Sequence, residues 1–170
     1  MARILAITNQ KGGVGKTTTA INLAASLAAA EVPTLLVDCD PQANATSGLG
    51  FGADPARASL YQGLRGEAAA AALLLSTPMQ GLELLPASPD LAGLNLELVS
   101  EPEREQRLKQ LLAPLAPNFG FILLDCPPAL DLLNLNALVA AQGLIVPLQC
   151  EYFALEGVAQ LVKTVEAVRT

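Results

Sequence analysis

Asn9-Gln-Lys-Gly-Gly-Val-Gly-Lys-Thr-Thr-Thr19 is the stretch that decides the fold. Its glycines let the backbone fold tightly and bring successive N–H groups against the oxygens of an anion. A short apolar run, Ile4-Leu-Ala-Ile-Thr8, precedes it, and an alanine-rich helical pattern over 16–30 follows. The anion would therefore lie at a helix N-terminus, where the peptide dipoles supply partial positive charge. Lys16 is spaced to reach the terminal phosphates of a nucleotide, and the Thr17 hydroxyl to ligate Mg²⁺. Lys11, Gly12, Gly13, Val14, Gly15, Lys16, Thr17 and Thr18 are accordingly the candidate nucleotide-binding residues.

Outward from this loop the pattern is regular. The helix over 16–30 carries Ile21, Ala24, Leu27 and Ala28 on one face, and a second apolar run, Thr34-Leu-Leu-Val37, stops at Asp38. Strand, helix and strand at this spacing form a βαβ unit. Residues 41–57 are dense in Gly, Pro, Asn, Ser and Thr and read as loop. One or two short helices are expected over 60–75, a strand at Leu82–Leu85 and a charged helix over 90–112. Phe119–Leu124 reads as a strand ending at Asp125, Leu130–Ala141 as a helix, and Leu144–Leu148 as another strand. Val158, Leu161, Val162, Val165 and Val168 recur at helical spacing. Apolar runs without inside/outside alternation, separated by helices, predict an α/β fold: a mostly parallel twisted sheet with helices on both faces.

Three carboxylates stand at strand ends. Asp38 and Asp40 follow the second strand, and alternation puts both on one side with Cys39 opposite. In open α/β sheets the ligand lies beyond the carboxyl ends of the strands, where these residues fall. Asp125, after four apolar residues, has the form of a Walker B aspartate that holds Mg²⁺ through water. Phosphoryl transfer needs positioning and charge neutralisation more than deep proton abstraction. Asp40 is therefore expected to orient the attacking water, with Thr17, Asp125 and Asp38 as the metal-side residues.

Composition narrows the field. With 170 residues and 52% apolar content the chain is long enough for one nucleotide-binding domain over 1–170, and the apolar share excludes a disordered chain. There is no histidine, which excludes an imidazole base or histidine metal ligands. Cys39, Cys126 and Cys150 are widely spaced and read as reduced thiols, with burial the expected role of Cys39. A net charge of −6 opposes DNA binding by the overall field, so any such binding needs a local patch or residues outside this chain. The opening segment and the Ala/Leu cluster at 68–75 are too short to span a membrane, and a cytoplasmic protein is expected. The periodic pattern running to Thr170 without a helix stop leads us to expect a further C-terminal portion.

The loop departs from G-x-x-x-x-G-K-[ST], because Gln10 stands where the first glycine belongs and Lys11 is added. K-G-G-x-G-K-T-T is the deviant Walker A signature of P-loop NTPases. Three further segments go with it: Asp38-Cys-Asp-Pro-Gln-Ala-Asn-Ala-Thr-Ser-Gly-Leu-Gly50, Asp125-Cys-Pro-Pro128, and Pro147-Leu-Gln-Cys-Glu-Tyr-Phe-Ala-Leu-Glu-Gly157. As a set they resemble the ParA/Soj partitioning ATPases over nearly the whole chain. The resemblance implies a Mg-ATP-dependent homodimer with ATP sandwiched between the subunits. It also implies catalytic Asp40 and Lys16, and a Lys11 that reaches the partner's phosphates. A lysine in trans would supply charge only after dimerisation, as an arginine finger does. Residues 41–50 and 126–131 would be switches I and II, and the Gln149–Glu156 segment would pack beside the nucleotide or the dimer interface. Non-specific DNA binding by the ATP dimer, at the nucleoid, and hydrolysis stimulated by a ParB-type centromere-binding partner are also implied. A MinD-like division-site regulator is the alternative on the same ATPase fold; it needs an amphipathic membrane helix that this chain does not contain. An iron-protein type of reductase has only Cys126-Pro-Pro in its favour, and a binding-only module would release no phosphate.

Overall fold

Burial on both faces is what the uninterrupted apolar runs require, and it is what the chain achieves. In the computed structural model, which describes residues 2–150 and 165–166, the strands are β1 (Arg3–Ile7), β2 (Thr34–Asp38), β3 (Leu75–Ser76), β4 (Leu82–Leu85), β5 (Phe121–Asp125) and β6 (Gly143–Ile145). Among these residues they form one sheet in the order β3-β4-β2-β5-β1-β6. All pairings are parallel except β3 with β4.

The helices are α1 (Lys16–Ala29), α2 (Asn44–Gly48), α3 (Leu60–Arg65), α4 (Leu94–Glu97), α5 (Arg107–Leu112) and α6 (Leu132–Ala140). Strand alternation sorts the core into two layers. Ile7, Leu36, Leu84 and Leu123 pack under α1 and α2, whereas Ala6, Leu35, Val37, Ile122 and Leu124 pack under α3 to α6. The α/β architecture expected from the sequence is thus the one found, with helices on both faces.

Several elements differ in detail. The innermost stripe of α1 is Ala20, Ala24 and Ala28, with Ile21 and Leu27 only partly buried at its flanks. Residues 41–57 are not all loop, because α2 lies within them. The expected helix over 90–112 is broken into a 3-10 turn at Pro89–Gly93, α4, a second 3-10 turn at Arg104–Gln106, and α5. Pro102 sits in the gap; it lacks an N–H and disfavours helix before it. Leu75–Ser76 is an antiparallel edge strand and not the tail of a helix. Among the described residues no helix is long and apolar enough to cross a membrane. The expected final helix, Val165 excepted, and the part of the Gln149–Glu156 segment beyond Cys150 lie outside the described residues.

The topology fixes where a ligand can sit. From β1 the chain crosses by α1 to β2 on one side of the sheet; from β5 it crosses by α6 to β6 on the other. Adjacent strands β1 and β5 thus send their following segments to opposite faces, which opens a crevice at their carboxyl ends.

Candidate functional site

The loop leaving β1 enters this crevice and is tied down at its start. Thr8 N–H donates to Ile145 O at 3.1 Å, Asn9 Nδ2 donates to Pro147 O at 2.8 Å, and Asn9 Oδ1 accepts from Lys11 N–H at 3.0 Å. Gly13 and Gly15 adopt φ of 73° and 88°, a left-handed backbone that side chains with a Cβ rarely take. Gly15 then caps α1 without a side-chain hydrogen bond, so the first N–H groups of the helix are available to an anion.

Lys16 begins α1 and is buried, with its Nζ donating to Lys11 O at 3.0 Å. Burial lowers its pKa, and the nearby Asp125 and Asp40 carboxylates and the Cys126 thiol act against that. A cavity of about 650 Å³ opens beside the loop. Gly13, Lys16 and Thr17 line one side of it; Asp40, Gln42 and Pro128 line the other. That volume suits a nucleotide-sized ligand. Gly12, Gly15 and Thr18 also border it, while Lys11 and Val14 do not. Lys11 is exposed, and its Nζ donates to Gln149 Oε1 at 3.3 Å.

Asp38 and Asp125 are register partners on neighbouring strands and point to the α1 face; Cys39 and Cys126 join the opposite core, fully buried. The three carboxylates nevertheless live in different surroundings. Asp38 is fully buried and committed: Oδ2 accepts from Thr46 N–H at 2.8 Å and from Thr46 Oγ1–H at 2.7 Å, and Oδ1 accepts from Asp40 N–H at 3.2 Å. Burial raises its pKa, opposed by these hydrogen bonds. Asp38 therefore anchors the loop behind the cavity and does not face it. Asp40 reaches the cavity wall, with Oδ1 accepting from Gln42 N–H at 2.9 Å.

Asp125 is fully buried, and neither of its oxygens has a hydrogen-bond partner among the described residues. Thr17 approaches closely enough to favour the charged form, without a well-aligned hydrogen bond to either oxygen. Burial, with the Asp38 and Asp40 charges, pushes the Asp125 pKa up to about 7. An orphaned buried carboxylate beside a threonine hydroxyl and a lysine fits a bound cation with its own waters. Magnesium is bound through few protein groups, and none of the described residues form an all-protein metal cage.

Two groups escaped the motif reading. Thr46 holds Asp38, as above, and Asn134 of α6 holds the loop after β5. Asn134 is buried; its Nδ2 donates to Pro127 O at 2.9 Å and Ala129 O at 3.0 Å, and its Oδ1 accepts from Thr8 Oγ1–H at 3.3 Å. One amide therefore joins the end of β1 to residues 127–129. Two asparagines, Asn134 and Asn136, on an otherwise apolar helix were the available signal.

A family model described as an AAA domain matches residues 2–170. The chromosome partitioning protein ParA of Myxococcus xanthus is 54% identical over 169 residues, covering 99% of this chain and 60% of that protein. The sporulation initiation inhibitor protein Soj of Bacillus subtilis is 48% identical, with 99% and 67% covered. Among solved structures, cobyrinic acid a,c-diamide synthase from Mycobacterium smegmatis, with bound ATP analog and magnesium, superimposes with a TM-score of 0.94 at 44% identity. That match covers 99% of this chain and 69% of that one. The chain spans about three fifths of the length of the first of these curated relatives. A family model matching residues 2–170 and identities of 54% and 48% over nearly the whole chain settle the kinship: the chain belongs to the ParA/Soj family of P-loop ATPases.

Proposed function

We propose that this chain binds Mg-ATP in the crevice above β1 and β5 and hydrolyses it, as the nucleotide-binding part of a chromosome- or plasmid-partitioning protein. The observation that carries the reading is a buried, unpartnered Asp125 carboxylate whose charge is felt by Lys16 of the glycine loop. The loop N–H groups and the start of α1 receive phosphate oxygens, and Lys16 exchanges its own loop carbonyl for them. Thr17 and Asp125 would hold magnesium, the latter through water, with Asp38 in support behind them; the ion, when bound, neutralises charge on the phosphates. Asp40 accepts a hydrogen bond from the attacking water and orients it.

Lys11 would act across a dimer interface, adding positive charge only once two subunits close on their nucleotides. Its exposure at the loop tip supports this. DNA would be bound without sequence preference by the ATP-bound dimer, through residues outside this acidic chain, and a ParB-type partner would stimulate hydrolysis. The working compartment would be the cytoplasm, at the nucleoid. Chromosome partitioning is the role that the Myxococcus xanthus relative's name states.

The test is Asp40→Ala in the full-length protein. Mg-ATP affinity is expected to stay within about threefold while phosphate release falls about 100-fold or more. Unchanged phosphate release by that variant sinks the assignment. The Mycobacterium smegmatis protein's name denotes amide formation. Phosphate release with no carboxylate or amine substrate present separates plain hydrolysis from such a transfer.

A further inference from the structure

We infer that Thr46 is a positioning residue for ATP hydrolysis, holding Asp40 at the cavity wall through Asp38. The inference rests on the reading of Asp40 as the residue that orients water. Thr46 lies in α2, buried, eight positions after Asp38, in a segment whose composition reads as loop. Its hydroxyl has two jobs at once. It donates its single proton to Asp38 Oδ2 at 2.7 Å and accepts from Ala87 N–H, just past β4, at 3.0 Å. Its backbone N–H adds a second bond to the same Asp38 oxygen at 2.8 Å.

The other oxygen of Asp38 carries the effect forward. Oδ1 accepts from Asp40 N–H at 3.2 Å, while Asp40 Oδ1 turns back to Gln42 N–H at 2.9 Å. Cys39 between them is pinned by its N–H to Asp125 O at 2.9 Å. A line of hydrogen bonds thus runs Ala87, Thr46, Asp38, Asp40, from the end of β4 to the cavity. With both oxygens of the Asp38 carboxylate engaged, its rotation is fixed, and so is the backbone that aims Asp40.

The backbone of the same turn is strained. Ala43, at the entry to α2, has φ 52°, a left-handed conformation unusual for a residue with a Cβ. Ala43 N–H donates to Asp40 O at 2.9 Å, so this turn is tied directly to Asp40, while the buried bonds of Thr46 to Asp38 fix the helix that follows it. Valine at position 46 would fill the same space, remove the proton given to Asp38 and orphan the Ala87 N–H. Serine would keep both hydroxyl bonds and lose only a methyl group.

The experiment compares Thr46→Val, Thr46→Ser and Asp40→Ala with the wild-type full-length protein, measuring kcat, KM for ATP and the Mg-ATP dissociation constant. The expected result is a kcat about tenfold or more lower in Thr46→Val, with KM and ATP affinity within about threefold, and a Thr46→Ser within about threefold of wild type throughout. A Thr46→Val enzyme with wild-type kcat overturns the inference. So does one that fails to fold or loses ATP affinity as much as rate, because the residue is then simply structural. Failure of serine to rescue would place the effect in the methyl group and also overturn it. Normal hydrolysis by Asp40→Ala would instead remove the water-orienting reading itself, while an inactive Asp40→Ala beside a normal Thr46→Val removes the Thr46 inference alone.

Discussion

Asp125 concentrates the electrostatics of the site in one side chain. An ordinary aspartate loses its proton near pH 4, whereas burial beside two other carboxylates moves this one up to about 7. Between about pH 4 and pH 7 the folded protein holds a proton that the unfolded chain has released, so stability of the metal-free protein falls as pH rises through that window. The protonated form's advantage is fully present below the unfolded pKa and gone above pH 7; a shift of this size corresponds to an effect on the order of 2–4 kcal/mol. Asp125→Asn keeps the shape and removes the charge. Urea unfolding without nucleotide should therefore find the variant about 1–3 kcal/mol more stable than wild type at pH 8 and little different at pH 4. Equal stability of the two proteins at pH 8 would show that the carboxylate is well solvated or otherwise paired. The same residue illustrates what a sequence can disclose. Four apolar residues ending in aspartate named Asp125, and glycine spacing named Lys16 and Thr17. Thr46 and Asn134 had no such spacing, since each works on residues brought near only by folding.

At the scale of elements, α1 shows how small side chains set a distance. Ala20, Ala24 and Ala28 lie against the sheet, which lets the helix pack closely over Ile7, Leu36 and Leu123. Ala24→Leu would force extra carbons into a filled layer. A loss of about 1–3 kcal/mol is expected, read as a lower urea midpoint with an unchanged slope. A variant as stable as wild type would mean that α1 can lift off the sheet without penalty. The elements also show where pattern reading stops. β1, β2, β4 and β5 were plain because a buried parallel strand is an apolar run with a sharp polar end. α2 was not: Asn-Ala-Thr-Ser-Gly is turn-like by composition, and its helix is held by the tertiary bonds of Thr46 to Asp38. β3 was hidden in the alanine-rich tail of a helical pattern, where pairing with β4 overrode local preference. The segment 90–112 kept its apolar spacing across Pro102, so periodicity alone overstated its continuity.

For the whole molecule, the sheet order matters more than any one element. It brings the ends of β1, β2 and β5 side by side, so residues 9–18, 38–40 and 125–131 meet although they are far apart in the chain. A ligand that bridges them should stabilise the fold globally. With Mg-ATP at about 100 times its dissociation constant, the gain is about 2.7 kcal/mol, a rise in melting temperature of about 5–10 °C. Lys16→Ala should lose most of that rise in a thermal-shift titration; a full rise in the variant would place the nucleotide elsewhere. The reversed edge strand has a separate bearing on assembly. Parallel β4 would otherwise present a row of open peptide groups to any passing chain, and the two residues Leu75 and Ser76 cover it with a stub too short to template another. On that flank the sheet is closed to fibre-like growth, because no further strand can add beside β4 without displacing its short antiparallel cover.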